Sequence, residues 1–317
     1  MPSPNAHVVH ASSTNSLSNT VTKIISPIIY LKLTLVAMMW GGTFIAGRIV
    51  SKVVPPMTAA TARFSIAVVL LLAIARIAEG GLPRLDRAHI AMTAALGFFG
   101  IFLYNLCFFI ALSHMPAGRT ALFVAINPIV TALLAALLLR ERLGSRKWLG
   151  IAIAFAGAAV VITRGDLVGA AHDISQSVGK GELVMLCGIS GWAAYTLIGR
   201  YALKALTPIA ATTYAALWGL LFLAIGASTE VSRWDLSRVG WQVVASIVYL
   251  GVAGTVIGFI WYYEGVKAIG PSRTSVFNNL VPVCGIVLAA ILLGEPVLMS
   301  MVIGGALAIV GVTLTNR

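Results

Sequence analysis

Two nine-residue stretches, Trp40-Gly-Gly-Thr-Phe-Ile-Ala-Gly-Arg48 and Trp192-Ala-Ala-Tyr-Thr-Leu-Ile-Gly-Arg200, carry Trp, Gly and Arg at the same spacing, 152 positions apart. Each lies in a strongly apolar run and opens one half of the chain. The duplication continues through both halves. Pro56 matches Pro208 at that offset, and at an offset of 154 Arg119-Thr120 matches Arg273-Thr274. Pro128 then matches Pro282, Glu141 matches Glu295, and Gly150 and Gly157 match Gly304 and Gly311. The reading is a duplicated unit.

Hydrophobic residues make up 59% of the 317 and charged residues only 10%, against about 25% charged in soluble domains. Many apolar runs approach the roughly 20 residues a helix needs to cross a bilayer. They are continuous rather than alternating, which excludes a β-barrel. The expected fold is an all-α polytopic membrane protein of ten transmembrane helices. The spans are 31–51, 56–77, 89–112, 120–139 and 148–163 in the first half, and 182–198, 208–227, 241–263, 274–293 and 297–315 in the second. The divisions are a disordered cytoplasmic tail over 1–29, a five-helix repeat over 30–164, a linker over 165–180 and a second repeat over 181–317.

Five spans per unit is odd, so the second unit enters the bilayer upside down: an inverted 5+5 repeat. Loop charges agree. The stretch from Arg140 to Lys147 holds four cations, while its counterpart from Gly294 to Met301 holds none. Arg76, Arg84 and Arg87 flank the loop after span 2. With both termini cytoplasmic, these cations lie inside, Arg233 and Arg238 being a minor exception. The net charge of +12 therefore reflects orientation in the membrane. No basic stripe suggests nucleic acid. Inverted repeats with a site at their interface are a transporter architecture.

The chain resembles the drug/metabolite transporter superfamily, in its ten-span branch of paired EamA domains. The resemblance rests on the Trp40 motif, Arg63-Phe64 in span 2, Asn127-Pro128 in span 4, the exit Leu139-Arg-Glu-Arg142, and the repetition of these features over about residues 30–316. It implies a bacterial inner-membrane carrier, usually an exporter of amino acids or related metabolites. The proton gradient would drive it, without ATP hydrolysis. A central cavity would be bounded by spans of both halves, with spans 5 and 10 peripheral.

Candidate site residues follow from polar groups in apolar runs. Arg63 lies seven residues into span 2, roughly 10 Å along its axis. Its repeat partner is Ala215, so the cation is not a duplicated structural feature. A charge there faces protein or water and suits a substrate carboxylate; the alternative is an arginine satisfied by helix carbonyls or snorkelling outward. Glu264 is the only carboxylate well away from a predicted loop. It is the proton-coupling candidate, or else an interfacial residue neutralised by Lys267. Pro128 and Pro282 free the carbonyls of Val124 and Asn278. With Asn127, Asn278 and Asn279, these could hydrogen-bond a polar solute or merely mark packing kinks. Trp40, Trp192, Tyr195, Tyr104 and Asn105 could wall the cavity, with Thr43 beside them in the Trp40 motif. Trp261 and Tyr262 could wall it too, or anchor at the membrane interface.

The remaining polar residues read as structural. Arg48, Arg200, Arg119 and Arg273 snorkel as span ends. Glu141 and Glu295 favour the start of the helix that follows each. Cys107, Cys187 and Cys284 are small core residues. The glycines of spans 5 and 10 predict close packing, within the chain or between two chains, so a monomer or homodimer. The five His residues do not cluster for a metal, and there is no nucleotide-binding loop, so no cofactor is expected. The expected task is proton-coupled export of a small metabolite, an amino acid or derivative. The alternatives are efflux of drugs or toxic cations, an intramembrane lipid-modifying enzyme, and a channel. A drug or cation carrier and an enzyme would each want more intramembrane carboxylates, and a channel would want a charge ring.

Overall fold

The computed structural model describes residues 27–139, 144–166, 179–230, 236–269, 274 and 277–315. Among them the chain is helical, without strands. The first half contains α1 (Pro27–Ser51), α2 (Pro56–Glu79), α3 (Arg87–His114), α4 and α5 (Ser145–Ile162). Helix α4 runs Ala117–Phe123, passes a 3-10 turn at Val124–Ile126 and continues as Asn127–Leu139. The second half contains α6 (Lys180–Ala202), α7 (Pro208–Ala227), α8 (Trp241–Ile269), α9 (Leu280–Leu293) and α10 (Met299–Thr315). Helices α1, α2, α3, α6, α7 and α8 are each long and apolar enough to cross a membrane, and the other four are shorter apolar helices. Outward-facing side chains such as Val69, Ile77, Leu137 and Ile291 are largely exposed, a surface suited to acyl chains rather than water. The expected tail and most of the linker, with Arg140, Glu141, Arg142, Arg233 and Arg273, lie outside the described residues.

Local chemistry sets the helix ends. Pro56 and Pro208 occupy first turns, where a missing N–H costs nothing. Thr207 caps α7 by accepting from the Ala210 amide at 3.0 Å. Gly80 and Gly294 close α2 and α9 in the left-handed region, at φ 73° and 64°. Asp86 caps α3, and the His89 amide and ring hold its carboxyl below the usual carboxylate range.

Side-chain contacts fix the polarity of the two halves. Arg48, ending α1, donates to the Leu112 carbonyl near the end of α3. Gly181, starting α6, packs on His114 and Met115 at that same end. So α1 ends where α6 begins: the halves run in opposite directions, forming the inverted 5+5 repeat. The end carrying Pro27 and the 80–86 loop is termed the near end, the other the far end. Helices α2 and α7 lie antiparallel between them. At the near end Thr207 donates to Glu79 at 2.9 Å. At the far end Glu230 accepts from the Met57 amide at 3.3 Å, the Thr58 amide at 2.8 Å and the Thr58 hydroxyl at 2.9 Å.

The symmetry extends to features that composition does not announce. Seven residues of α3 (Gly97–Leu103) and six of α8 (Val252–Ile257) are wound as π-helix at equivalent positions. Gly97 lies against the Ala215 carbonyl of α7, and its repeat mate Gly251 against the Arg63 carbonyl of α2. A Cβ on either would fall within about 3 Å of backbone oxygen, so these crossings need glycine. Helices α5 and α10 pair within the chain through Gly157, Gly304 and Gly311.

Several expectations change. Arg119 does not snorkel; it is buried and paired with Glu182 of α6 at 2.9 Å. Two ends of different halves meet there, leaving neither side chain a path to water. Arg48 is half-buried on the Leu112 carbonyl, while Arg200 is exposed. Glu295 serves α4 rather than α10, accepting from the Ala117 amide at 2.9 Å and Gly118 at 3.0 Å. Inversion brings that helix start alongside. Cys187 is exposed rather than in the core. Glu182 and Glu230 are the buried carboxylates among the described residues, while Glu264 keeps 36% of its side chain exposed. The partner of Glu264 is Lys32, at 2.7 Å, and not Lys267.

Candidate functional site

Where the two halves meet, a cavity of about 40 Å³ is lined by α1, α2, α3, α4, α6, α8 and α9. It has room for a few water molecules. Of the candidates, Trp40, Thr43, Arg63 and Tyr104 line it from the first half with Asn127. Trp192 and Asn278 line it from the second half, with Phe259, which sequence reading missed. Asn105, Tyr195 and Asn279 are buried but do not line it.

Arg63 is 4% exposed. Its Nε donates to the Thr255 hydroxyl of α8 at 2.8 Å, and Nη1 to the Asn105 carbonyl oxygen of α3 at 2.9 Å. The π turns position both acceptors. Thr255 donates in turn to the Leu250 carbonyl at 2.9 Å, and the Asn105 amide to the Ile101 carbonyl at 2.8 Å. A π turn shifts the i→i+4 ladder and leaves carbonyls for side chains, a recurring device at functional sites. Thr255 escaped notice in the sequence, although a hydroxyl in an apolar run was a signal for it. Nη2 donates to no described protein group and the guanidinium borders the cavity. Among the described residues no carboxylate lines the site. A buried charge held by neutral groups alone keeps much of its desolvation cost, and an arriving anion would offset it.

The near side of the cavity is aromatic. The rings of Trp40 and Trp192, repeat mates, meet edge-to-face with centroids 5.8 Å apart. The Trp40 indole also donates to the Gly254 carbonyl at 3.0 Å, which ties α1 to α8. Tyr262 lies 5.2 Å from Trp40 and Tyr195 5.1 Å from Trp192. Tyr195 stacks on Tyr263 at 5.8 Å, with the planes 10° apart. Tyr262 is buried at this layer rather than anchored at an interface. Trp261 is half-buried under the Lys32 ammonium.

The prolines act differently from expectation. The Val124 carbonyl accepts from the Asn127 amide in the 3-10 turn, and the Asn278 carbonyl from the Val281 amide at 3.1 Å. An i+3 bond replaces the one each proline removes, so neither carbonyl is left free. The Asn127 and Asn278 side chains still border the cavity.

Cross-half contacts close both ends. At the far end stand Arg119–Glu182, Glu295 on α4 and Glu230 on α2. At the near end stand Lys32–Glu264, Thr207–Glu79 and the Tyr214 hydroxyl on the Pro83 carbonyl at 2.6 Å.

Two membrane-embedded halves of opposite polarity around a shared cavity, aromatic with one buried cation, define an inverted-repeat transporter. The chain belongs to the EamA-like transporter family, whose model matches residues 27–163 and 179–317. An uncharacterized transporter, YyaM, of Bacillus subtilis (strain 168) is 32% identical over 285 residues, 90% of this chain and 92% of that one. A probable terminal-alkyne amino-acid exporter of Streptantibioticus cattleyicolor is 31% identical over 237 residues, 75% of this chain and 76% of its own. A crystal structure 19% identical superposes with a TM-score of 0.63, covering 90% of this chain and 96% of that one; it bears on the fold alone.

Proposed function

We propose that this transporter is a secondary active exporter of the inner (plasma) membrane, carrying a small carboxylate-bearing metabolite, such as an amino acid or derivative, in exchange for protons. One observation carries the reading: a buried guanidinium at the cavity whose Nη2 donates to no described group, with no described carboxylate in the lining. The name of the Streptantibioticus relative is consistent with it. The near end is cytoplasmic in this reading, because Arg76, Arg84, Arg87 and Arg146 cluster about the loops of the first half there. Both termini are then cytoplasmic, and the chain works as a monomer or homodimer.

A cavity of 40 Å³ is far below the roughly 300 Å³ of small-molecule pockets, so loading requires the halves to part. Rocking one half against the other would break the near-end contacts while the far-end contacts hold, and then the reverse. Glu264 is the proposed proton carrier. It bridges to Lys32 across the halves, and protonation would remove that bond and ease opening of the near end. Lys267 lies on the same helix.

The test is efflux from proteoliposomes under an imposed pH gradient, over a panel of amino acids and their derivatives. Wild-type protein should accumulate solute against its gradient when the proton gradient is applied. Glu264→Gln should still exchange solute but lose the response to the gradient. A normal pH response in that variant would remove Glu264 from coupling.

A further inference from the structure

The charge balance of the cavity narrows the substrate class. Resting on the carboxylate reading above, we infer that the solute binds as a monoanion with an apolar body and no free ammonium group. Among the described residues Arg63 is the one charged residue lining the cavity. A monoanion on Arg63 makes the site neutral. A zwitterion leaves one uncompensated positive charge there, and a cation leaves two.

No described acid stands ready to take that charge. Glu182 is held by Arg119 and Glu264 by Lys32. Glu230 and Glu295 cap helices at the far end. Glu79 and Asp86 serve Thr207 and His89 at the near end. Asp166 follows α5 and lies outside the lining. Among the described lining residues an ammonium would find neutral acceptors alone, the amides of Asn127 and Asn278 and the hydroxyls of Thr43 and Tyr104.

Ring faces attract cations. Here they would have to offset both the desolvation of the ammonium and repulsion from Arg63 across a medium of low dielectric constant. The same rings, Trp40, Phe44, Tyr104, Phe108, Trp192 and Phe259, suit an apolar body without such opposition. The cavity thus has one cationic edge and an aromatic enclosure. N-acylated or deaminated aromatic amino acids have this chemistry; free amino acids do not.

The experiment titrates the purified full-length protein in detergent, following intrinsic Trp fluorescence, with N-acetylphenylalanine, phenylalanine and phenethylamine. Counterflow of N-acetylphenylalanine in proteoliposomes runs in parallel. N-acetylphenylalanine should bind at least about ten-fold tighter than phenylalanine, and phenethylamine should not bind. Arg63→Ala should lose N-acetylphenylalanine, and Arg63→Lys, which keeps the charge, should retain part of it. Phenylalanine binding as tightly as its N-acetyl form, and dependent on Arg63, overturns the monoanion inference while leaving the carboxylate reading standing. Binding of neither compound in an Arg63-dependent way removes the carboxylate reading and the inference with it.

Discussion

Arg63→Ala is expected to abolish export of carboxylate solutes while leaving a folded protein in the membrane. The guanidinium is buried, fixed at Nε and Nη1, and free at Nη2. Removing one partner of a desolvated charge pair costs about 2–5 kcal/mol, roughly thirty-fold or more in affinity. Folding should survive because both groups left behind stay anchored through their own donors, although the Asn105 Oδ1 loses the Arg63 donor. Asn105 keeps the Ile101 carbonyl and Thr255 keeps the Leu250 carbonyl. Losing a buried charge without a counterion also relieves a desolvation penalty. The melting temperature in detergent should therefore shift by only a few degrees while transport falls to background. A variant transporting normally would take Arg63 out of the site.

Gly157→Leu should have the largest effect on stability. A Cβ on Gly157 would sit 2.5 Å from the Gly304 carbonyl, and neither backbone can withdraw without parting α5 from α10. Overpacking of this kind costs about 1–3 kcal/mol, a fall of roughly 1.5–4.5 °C in melting temperature for 317 residues. Gly144→Ala supplies the contrast. Nothing lies within 4 Å of a Cβ there and its φ is −68°, so no change is expected. Protein surviving as folded Gly157→Leu should bind solute with the wild-type constant, because α5 and α10 do not line the cavity. Equal melting temperatures for the two variants would contradict the close α5–α10 crossing.

Residue types that are rare in lipid made the centre of the molecule legible. Trp40 and Trp192 could be read as partners because Trp, Gly and Arg recur at one spacing. Arg63 stood out because a charge seven residues into an apolar helix needs a reason. The inversion followed from counting spans and cations. Contacts between halves were not legible, because adjacency across a pseudo-twofold axis has no local signal. Arg119 and Glu182 each read as an ordinary span end, yet inversion stacks those ends and buries both. Glu295 is followed immediately by Pro296, so it reads as the start of α10; only the packing of α9 along α4 directs it to Ala117 and Gly118. The π turns of α3 and α8 lie at the crossings with α7 and α2, and nothing in the composition of those runs distinguishes them from straight helix. The proline-freed carbonyls were misjudged because backbone relaxation to a 3-10 turn supplies a donor that a rigid helix lacks.

Counterflow through wild-type protein in proteoliposomes, comparing one metabolite with its primary carboxamide, addresses the central claim most directly. The two solutes match in shape and differ in the charge offered to Arg63. Exchange of the carboxylate with little or no exchange of the carboxamide is the predicted result. Equal exchange of both would contradict a site organised around that buried cation.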